Sequence, residues 1–195
     1  MRGLRRAGTW FALPRSCLLI RKALMHAKAK LFGHPIHQML IVFPLGLLAT
    51  SLVFDIVYQV TGNVRWADIS YVMIASGIIG GLLAAIFGLV DWLAIPAGTR
   101  AKRIGALHGI GNVAVVALFA ISWLLRYSDA GLPDAAAFVL SIAGVALALV
   151  TGWLGGELVD RLAVGVDDGA HLDAPSSLSG RPARDVATGP SYVAR

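Results

Sequence analysis

Residues 38–60 read QMLIVFPLGLLATSLVFDIVYQV, an apolar run whose only charged side chain is Asp55. A helix needs about 20 mostly apolar residues to cross the hydrocarbon core of a bilayer. This run supplies them, and three more follow at 69–95, 106–125 and 135–156. None alternates apolar and polar residues as the strands of a membrane barrel do. The expectation is therefore an all-α integral membrane protein of four spanning helices. Of the 195 residues 57% are hydrophobic and 14% charged, against roughly a half and a quarter in soluble domains. The mean hydropathy is +0.73.

The connectors are short. Thr61-Gly62-Asn63 reads as a tight turn, Pro96-Ala97-Gly98 stops the second helix, and residues 127–134 contain Gly131 and Pro133. Short connections favour an up-down-up-down, antiparallel four-helix bundle. Of the 17 Lys and Arg residues, only Arg65 and Arg126 fall at the end where helices one and three finish. The other fifteen precede helix one, join helices two and three, or follow helix four. The cation-rich side of a membrane protein is the cytoplasmic side, so both termini are assigned there. The same bias accounts for the net charge of +6 and the pI near 10.0, and no nucleic-acid partner is expected. The lone cysteine, Cys17, excludes an internal disulfide and iron–sulfur ligation by this chain alone.

Three regions follow. Residues 1–30 form a basic N-terminal segment around a short apolar run, 17–20, too short to span and without a signal peptide's cleavage site. That segment reads either as an amphipathic surface piece or as a start assigned too early, with the true start near Met25. Residues 31–160 hold the four helices. Residues 161–195, rich in Ser, Pro, Gly, Ala and Asp, read as a disordered cytoplasmic tail.

Ionisable side chains inside a span are costly, so each needs a partner or a purpose. With the helices alternating in direction, His34 and His37 lie at the inner end of helix one and Asp91 near the inner end of helix two. His108 lies in the first turn of helix three, and Glu157 closes helix four. Asp55 stands 18 residues beyond His37, roughly 27 Å along the same helix, and belongs to another level. Direction sharpens the grouping. Gly77, Gly81, Ala84, Gly88 and Asp91 share one face of helix two, a small-residue stripe of the kind that lines helix contacts in membranes. His108, Asn112, Val115 and Phe119 share a face of helix three, and His37, Ile41, Pro44, Leu48 and Asp55 one of helix one, with Pro44 able to kink it.

Each candidate has two readings. His34 and His37 are ligands to haem or a metal ion, or interfacial histidines among headgroups. Asp91 is a ligand, a proton carrier or a group that orients a histidine, or else the partner of Arg100, Lys102, Arg103 or His108. His108 is a ligand, or a histidine satisfied by Asp91 or Asn112. Trp66, Trp92, Trp123 and Trp153 read as interface anchors. No nucleophile elbow, phosphate loop, zinc-protease motif or dinucleotide fingerprint is present, so nothing points to an enzyme.

Gly33-His34-Pro35-Ile36-His37 opens helix one and Gly88-Leu89-Val90-Asp91 closes helix two. His108 opens helix three, and Gly152-Trp153-Leu154-Gly155-Gly156-Glu157-Leu158-Val159 closes helix four. Over residues 32–166 this arrangement resembles the bacterial predicted membrane proteins called domain of unknown function 2231. The resemblance implies a multi-pass protein of the bacterial inner membrane. Some members are joined to Rieske-type iron–sulfur domains, which implies electron transfer and a redox partner of that kind. The chain departs from the family at Leu162, where relatives often carry a histidine, and at Gln38, where a proline is common.

The leading expectation is a redox-associated membrane module. In it His37 and His108 ligate a b-type haem or a transition-metal ion near the cytoplasmic face, Asp91 is a ligand or orienter, and His34 and Glu157 are peripheral. The alternative is a non-catalytic scaffold or assembly partner, possible as an oligomer, whose cluster is a structural ion-pair network. A proton carrier using Asp55 and Asp91 needs a polar path between two distant levels.

Overall fold

The computed structural model describes residues 25–128 and 131–186. Most of the basic segment, residues 1–24, lies outside the described residues, as does 187–195.

The chain enters through a two-residue ribbon, β1 (Lys30–Leu31) antiparallel to β2 (His34–Pro35). Its turn residues, Phe32 and Gly33, both have positive φ, 51° and 85°, as the type I′ turn of a two-residue hairpin requires. Helices α1 (Ile36–Leu40) and α2 (Val42–Thr61) together make the first span. They are separated at Ile41, one turn before Pro44, where the imino ring removes a donor from the helical ladder. Gly62, in the left-handed conformation at φ 67°, ends α2, and Asn63 caps α3 (Val64–Ala94) by accepting from the Arg65 N–H. Pro96 ends α3. Thr99 caps α4 (Arg100–Leu125), and Asp134 caps α5 (Ala135–Gly156). A π-helical turn, Glu157–Arg161, continues the last span.

All four spans are long and apolar enough to cross a membrane. Spans one and two form one antiparallel hairpin and spans three and four another. The hairpins pack through α3 against α4, and more loosely through α2 against α5. The closed core is small: Leu48, Ile74, Val115 and Phe119 meet at its centre. Most other apolar side chains face outward, Val60, Ile110 and Leu149 among them, as lipid-facing residues do.

A buried polar layer ties the four spans together near the ends of α2 and α4. Arg126 and Asp55 are both fully buried and form a bidentate pair, Nη1 to Oδ1 and Nη2 to Oδ2 at 2.7 Å each. The guanidinium also donates to the hydroxyls of Ser70, Ser122 and Ser141, at 3.3, 3.1 and 3.0 Å. Asp55 lies on span one, Ser70 on span two, Ser122 and Arg126 at the end of span three, and Ser141 on span four. A buried charge is tolerated only with its partner and its hydrogen bonds in place, so this layer fixes which helices meet and at what register. Trp66 stacks on Phe54 at 5.4 Å, and Trp123 on Tyr71 at 5.0 Å. Trp123 packs against the core, and its Nε1 is buried with no hydrogen-bond partner.

At the opposite end, residues 161–186, whose composition reads as a disordered tail, fold back on the entry segment. Gly165 N–H donates to the Met25 carbonyl, 2.9 Å, and the Ser177 hydroxyl to the Phe32 carbonyl, 3.0 Å. Asp167 binds Lys30 and lies 3.3 Å from His26 Nδ1.

Candidate functional site

The entry end of the bundle brings two histidines together by the same local device used twice. His37, on α1, lies against Gly88 of α3, where an added Cβ would come within 2.8 Å of its Cε1 and Nδ1. Its Nδ1 is 2.9 Å from the carbonyl of Ala84, one helical turn before that glycine. His108, on α4, lies against Gly155 of α5, with a Cβ there 3.2 Å from Cε1, and its Nδ1 is 2.8 Å from the carbonyl of Thr151, again one turn earlier. A carbonyl can only accept, so each Nδ1 carries the hydrogen. In a neutral imidazole this leaves the Nε2 lone pair available. The two rings lie 6.3 Å apart between centroids, their planes at 88°.

Asn112 stands beside the pair. Its Nδ2 donates to the His108 carbonyl at 2.8 Å and lies 3.2 Å from His108 Nε2. The Thr151 hydroxyl is 3.1 Å from both Asn112 Oδ1 and the Ala148 carbonyl. Among the described residues, His37 Nε2 has no hydrogen-bond partner.

The remaining candidates sit around this pair without joining it. Asp91 turns to the entry segment: its Oδ1 accepts the backbone N–H of Lys28, 2.7 Å, and of Ala29, 3.2 Å. Glu157 pairs with Arg100 at 2.5 Å, joining the turn after span four to the start of span three. His34 lies on β2 with Nε2 3.3 Å from the Ser177 hydroxyl. It lines a cavity of about 300 Å³ between the entry ribbon and the tail, with Gln38, Asp167, Ser177 and Arg181. Lys102 places its ammonium 3.8 Å above the Trp92 ring and donates to the Trp92 carbonyl, while Trp92 Nε1 donates back to the Lys102 carbonyl. Lys102 is therefore engaged away from Asp91. Among the described residues no three His, Cys, Asp or Glu side chains gather as metal ligands would. Outside the spans, the hydrogen bond from Lys30, helped by His26, holds the Asp167 carboxyl below the usual carboxylate range against the opposing effect of partial burial.

Sequence reasoning did not single out Arg126, which it counted as a connector cation. A signal was available. The face of helix three that carries His108, Asn112, Val115 and Phe119 continues at helical spacing to Ser122 and Arg126. The matching face of helix one continues from Leu48 to Ser51 and Asp55.

Fold and site together define a multi-pass membrane protein, a four-helix bundle with paired histidines at one end and a buried ion pair at the other. The family of predicted membrane proteins DUF2231 matches over residues 33–168, and the chain belongs to it. Comparison with curated proteins and with solved structures finds no match.

Proposed function

We propose that the protein is a redox-associated membrane module in which His37 and His108 would together hold a b-type haem. The observation that carries this reading is the matched pair of Nδ1-anchored imidazoles at 6.3 Å. With each Nδ1 tied to a backbone carbonyl, the two rings would offer neutral Nε2 donors from two different spans to a bound group. A backbone carbonyl on Nδ1 is also the usual way a ligating histidine is oriented.

The donor set favours haem over a bare transition-metal ion. Zinc asks for four protein ligands, or three and an open position. Asp91, Glu157 and His34 are each engaged elsewhere. Two imidazoles with no third protein ligand beside them, among the described residues, suit a group that would bring most of its own donors, as a haem would. Ligation would cost His108 one hydrogen bond, the one from Asn112. Bound there, the group would supply one-electron transfer. Asp91 contributes by pinning residues 28–29 over this end of the bundle, and His34 and Glu157 shape its rim. By the charge bias the site faces the cytoplasm of a bacterium from its inner membrane, where a Rieske-type protein is a fitting partner and a second copy of the chain another.

The test is an oxidised-minus-reduced visible spectrum of the detergent-purified protein, with iron analysis and hemin titration of the same sample. The expected result is a sharp reduced band and one iron per chain, lost in His37→Ala and in His108→Ala while both variants still insert. A folded sample that takes up no hemin refutes the proposal. It would favour a scaffold, in which the same histidines are clips between helices, as their bonds to the Ala84 and Thr151 carbonyls allow.

A further inference from the structure

The two hairpins repeat several of each other's contacts. His37 bonds the carbonyl of Ala84 and lies on Gly88, and His108 bonds that of Thr151 and lies on Gly155. Leu48 occupies the space a Cβ at Gly77 would take, 2.6 Å away, and Phe119 does the same at Gly144, 2.7 Å away. In the first helix of each hairpin, His37 and His108, Leu48 and Phe119, Ser51 and Ser122, and Asp55 and Arg126 are all 71 residues apart. In the second helix, Gly77 and Gly144, Ala84 and Thr151, and Gly88 and Gly155 are all 67 apart. The difference falls in the connections: α2 ends at Thr61 and α3 begins at Val64, whereas α4 ends at Leu125 and α5 begins at Ala135. Burial follows the same offsets: Ser70 matches Ala137 and Ile74 matches Ser141, all four fully buried.

Two of these pairs also touch their own counterparts. His37 faces His108, and Asp55 binds Arg126. In a two-fold arrangement, a residue meets its own copy only at the axis. We infer that the protein is two copies of one helical hairpin about a pseudo-two-fold axis along the bundle, and that the histidine site is one position of that hairpin met twice on the axis. The identity of the ligand rests on the function proposed above; the axis does not. A ligand at this site would take one imidazole from each half. The two arms are unequal in dress. The counterpart of Asn112 is Ile41 and that of Thr151 is Ala84, so the His37 nitrogen is free while the His108 nitrogen must first leave Asn112. The other axial pair has diverged into opposite charges and locks the halves together.

A charge exchange in the full chain tests the axis without any ligand. In the native layer Ser122, one turn before Arg126, accepts from the guanidinium, whereas Ser51, one turn before Asp55, donates to the Leu48 carbonyl. If the two positions are equivalent, exchanging the charges moves the hydroxyl requirement from Ser122 to Ser51. Asp55→Arg alone and Arg126→Asp alone are expected to abolish recovery of monodisperse protein in detergent, and the double exchange to restore it. In the exchanged chain Ser51→Ala should lower the melting temperature more than Ser122→Ala; in the native chain the order is the reverse. An exchanged chain in which Ser122→Ala is still the more damaging overturns the inference. Should the bare exchange not fold, Ile74→Ser and Ala137→Ser are added, which place hydroxyls at the counterparts of Ser141 and Ser70. Failure of both forms to fold also overturns it. Hemin uptake is scored separately, so loss of the haem reading leaves this result standing.

Discussion

Replacing Arg126 by Met removes the cation from the buried layer while keeping much of the side chain's length. Asp55 then loses both partners of its bidentate pair, and Ser70, Ser122 and Ser141 lose the donor that all three share. Asp55 is fully buried, so no water replaces what is lost. Breaking a buried ion pair from one side costs about 3–5 kcal/mol, a fall of roughly 100- to 4,000-fold in the folding equilibrium constant. Set against a total stability of about 5–15 kcal/mol, Arg126→Met should leave a chain that inserts but unfolds at markedly lower denaturant. The paired variant Asp55→Asn with Arg126→Met removes both charges. Because neutral replacement of a whole buried pair is often harmless, it should recover most of the loss. The assay is reversible unfolding in mixed micelles of mild detergent and dodecyl sulfate, followed by Trp fluorescence. A loss below about 1 kcal/mol for Arg126→Met, the range of surface pairs, would show that the layer does not hold the bundle. A double variant no better than the single would refute the reasoning that the stranded carboxylate is what costs.

Three further outcomes follow from the entry end. Gly88→Ala puts a methyl 2.8 Å from the His37 ring, whereas Gly155→Ala meets His108 at 3.2 Å. The first should destabilise by about 1–3 kcal/mol, as overpacking does, and the second by less, measured in the same unfolding assay. Asp91→Ala strands the N–H groups of Lys28 and Ala29, while Asp91→Asn keeps an acceptor oxygen for them. Amide exchange at residues 28 and 29 should rise sharply in the first and little in the second; equal exchange in both would show that the charge, and not the acceptor, holds the segment. Asp167 has its folded pKa depressed by Lys30, so its contribution is present at neutral pH and disappears as pH falls through that lowered value. Protease cleavage between residues 165 and 186 should therefore rise only in strongly acid solution, and in Asp167→Asn should already be high at neutral pH.

Much of this architecture is legible in the linear chain, and the part that is not has a physical explanation. Helical spans depend on local quantities: the length of an apolar run, a proline, a glycine at a turn. Thus residues 38–60 and the three runs after them announce four membrane helices, and Pro96 and Gly62 mark where two of them stop. Depth is also local, because rise per residue is constant. That suffices to put His37 and His108 at one level and Asp55 at another. Partner choice is not local. Arg126 follows the last apolar residues of its span and reads as a connector cation, yet a long side chain can swing inward when a carboxylate 71 residues away waits at the same depth. Asp91 reads as facing the loop cations or a histidine, but its acceptors meet backbone N–H groups of a segment whose path only the fold reveals. The tail's composition shows no apolar pattern, and it is held by backbone and ion-pair contacts that composition does not encode. The sequence by itself determined the spans, their alternation and the two histidines at one end, because hydrophobic length and helical rise act within a segment. Tertiary structure alone decided that the histidines meet and that Asp55 and Arg126 neutralise each other, because these depend on which side chains the packed helices bring into contact.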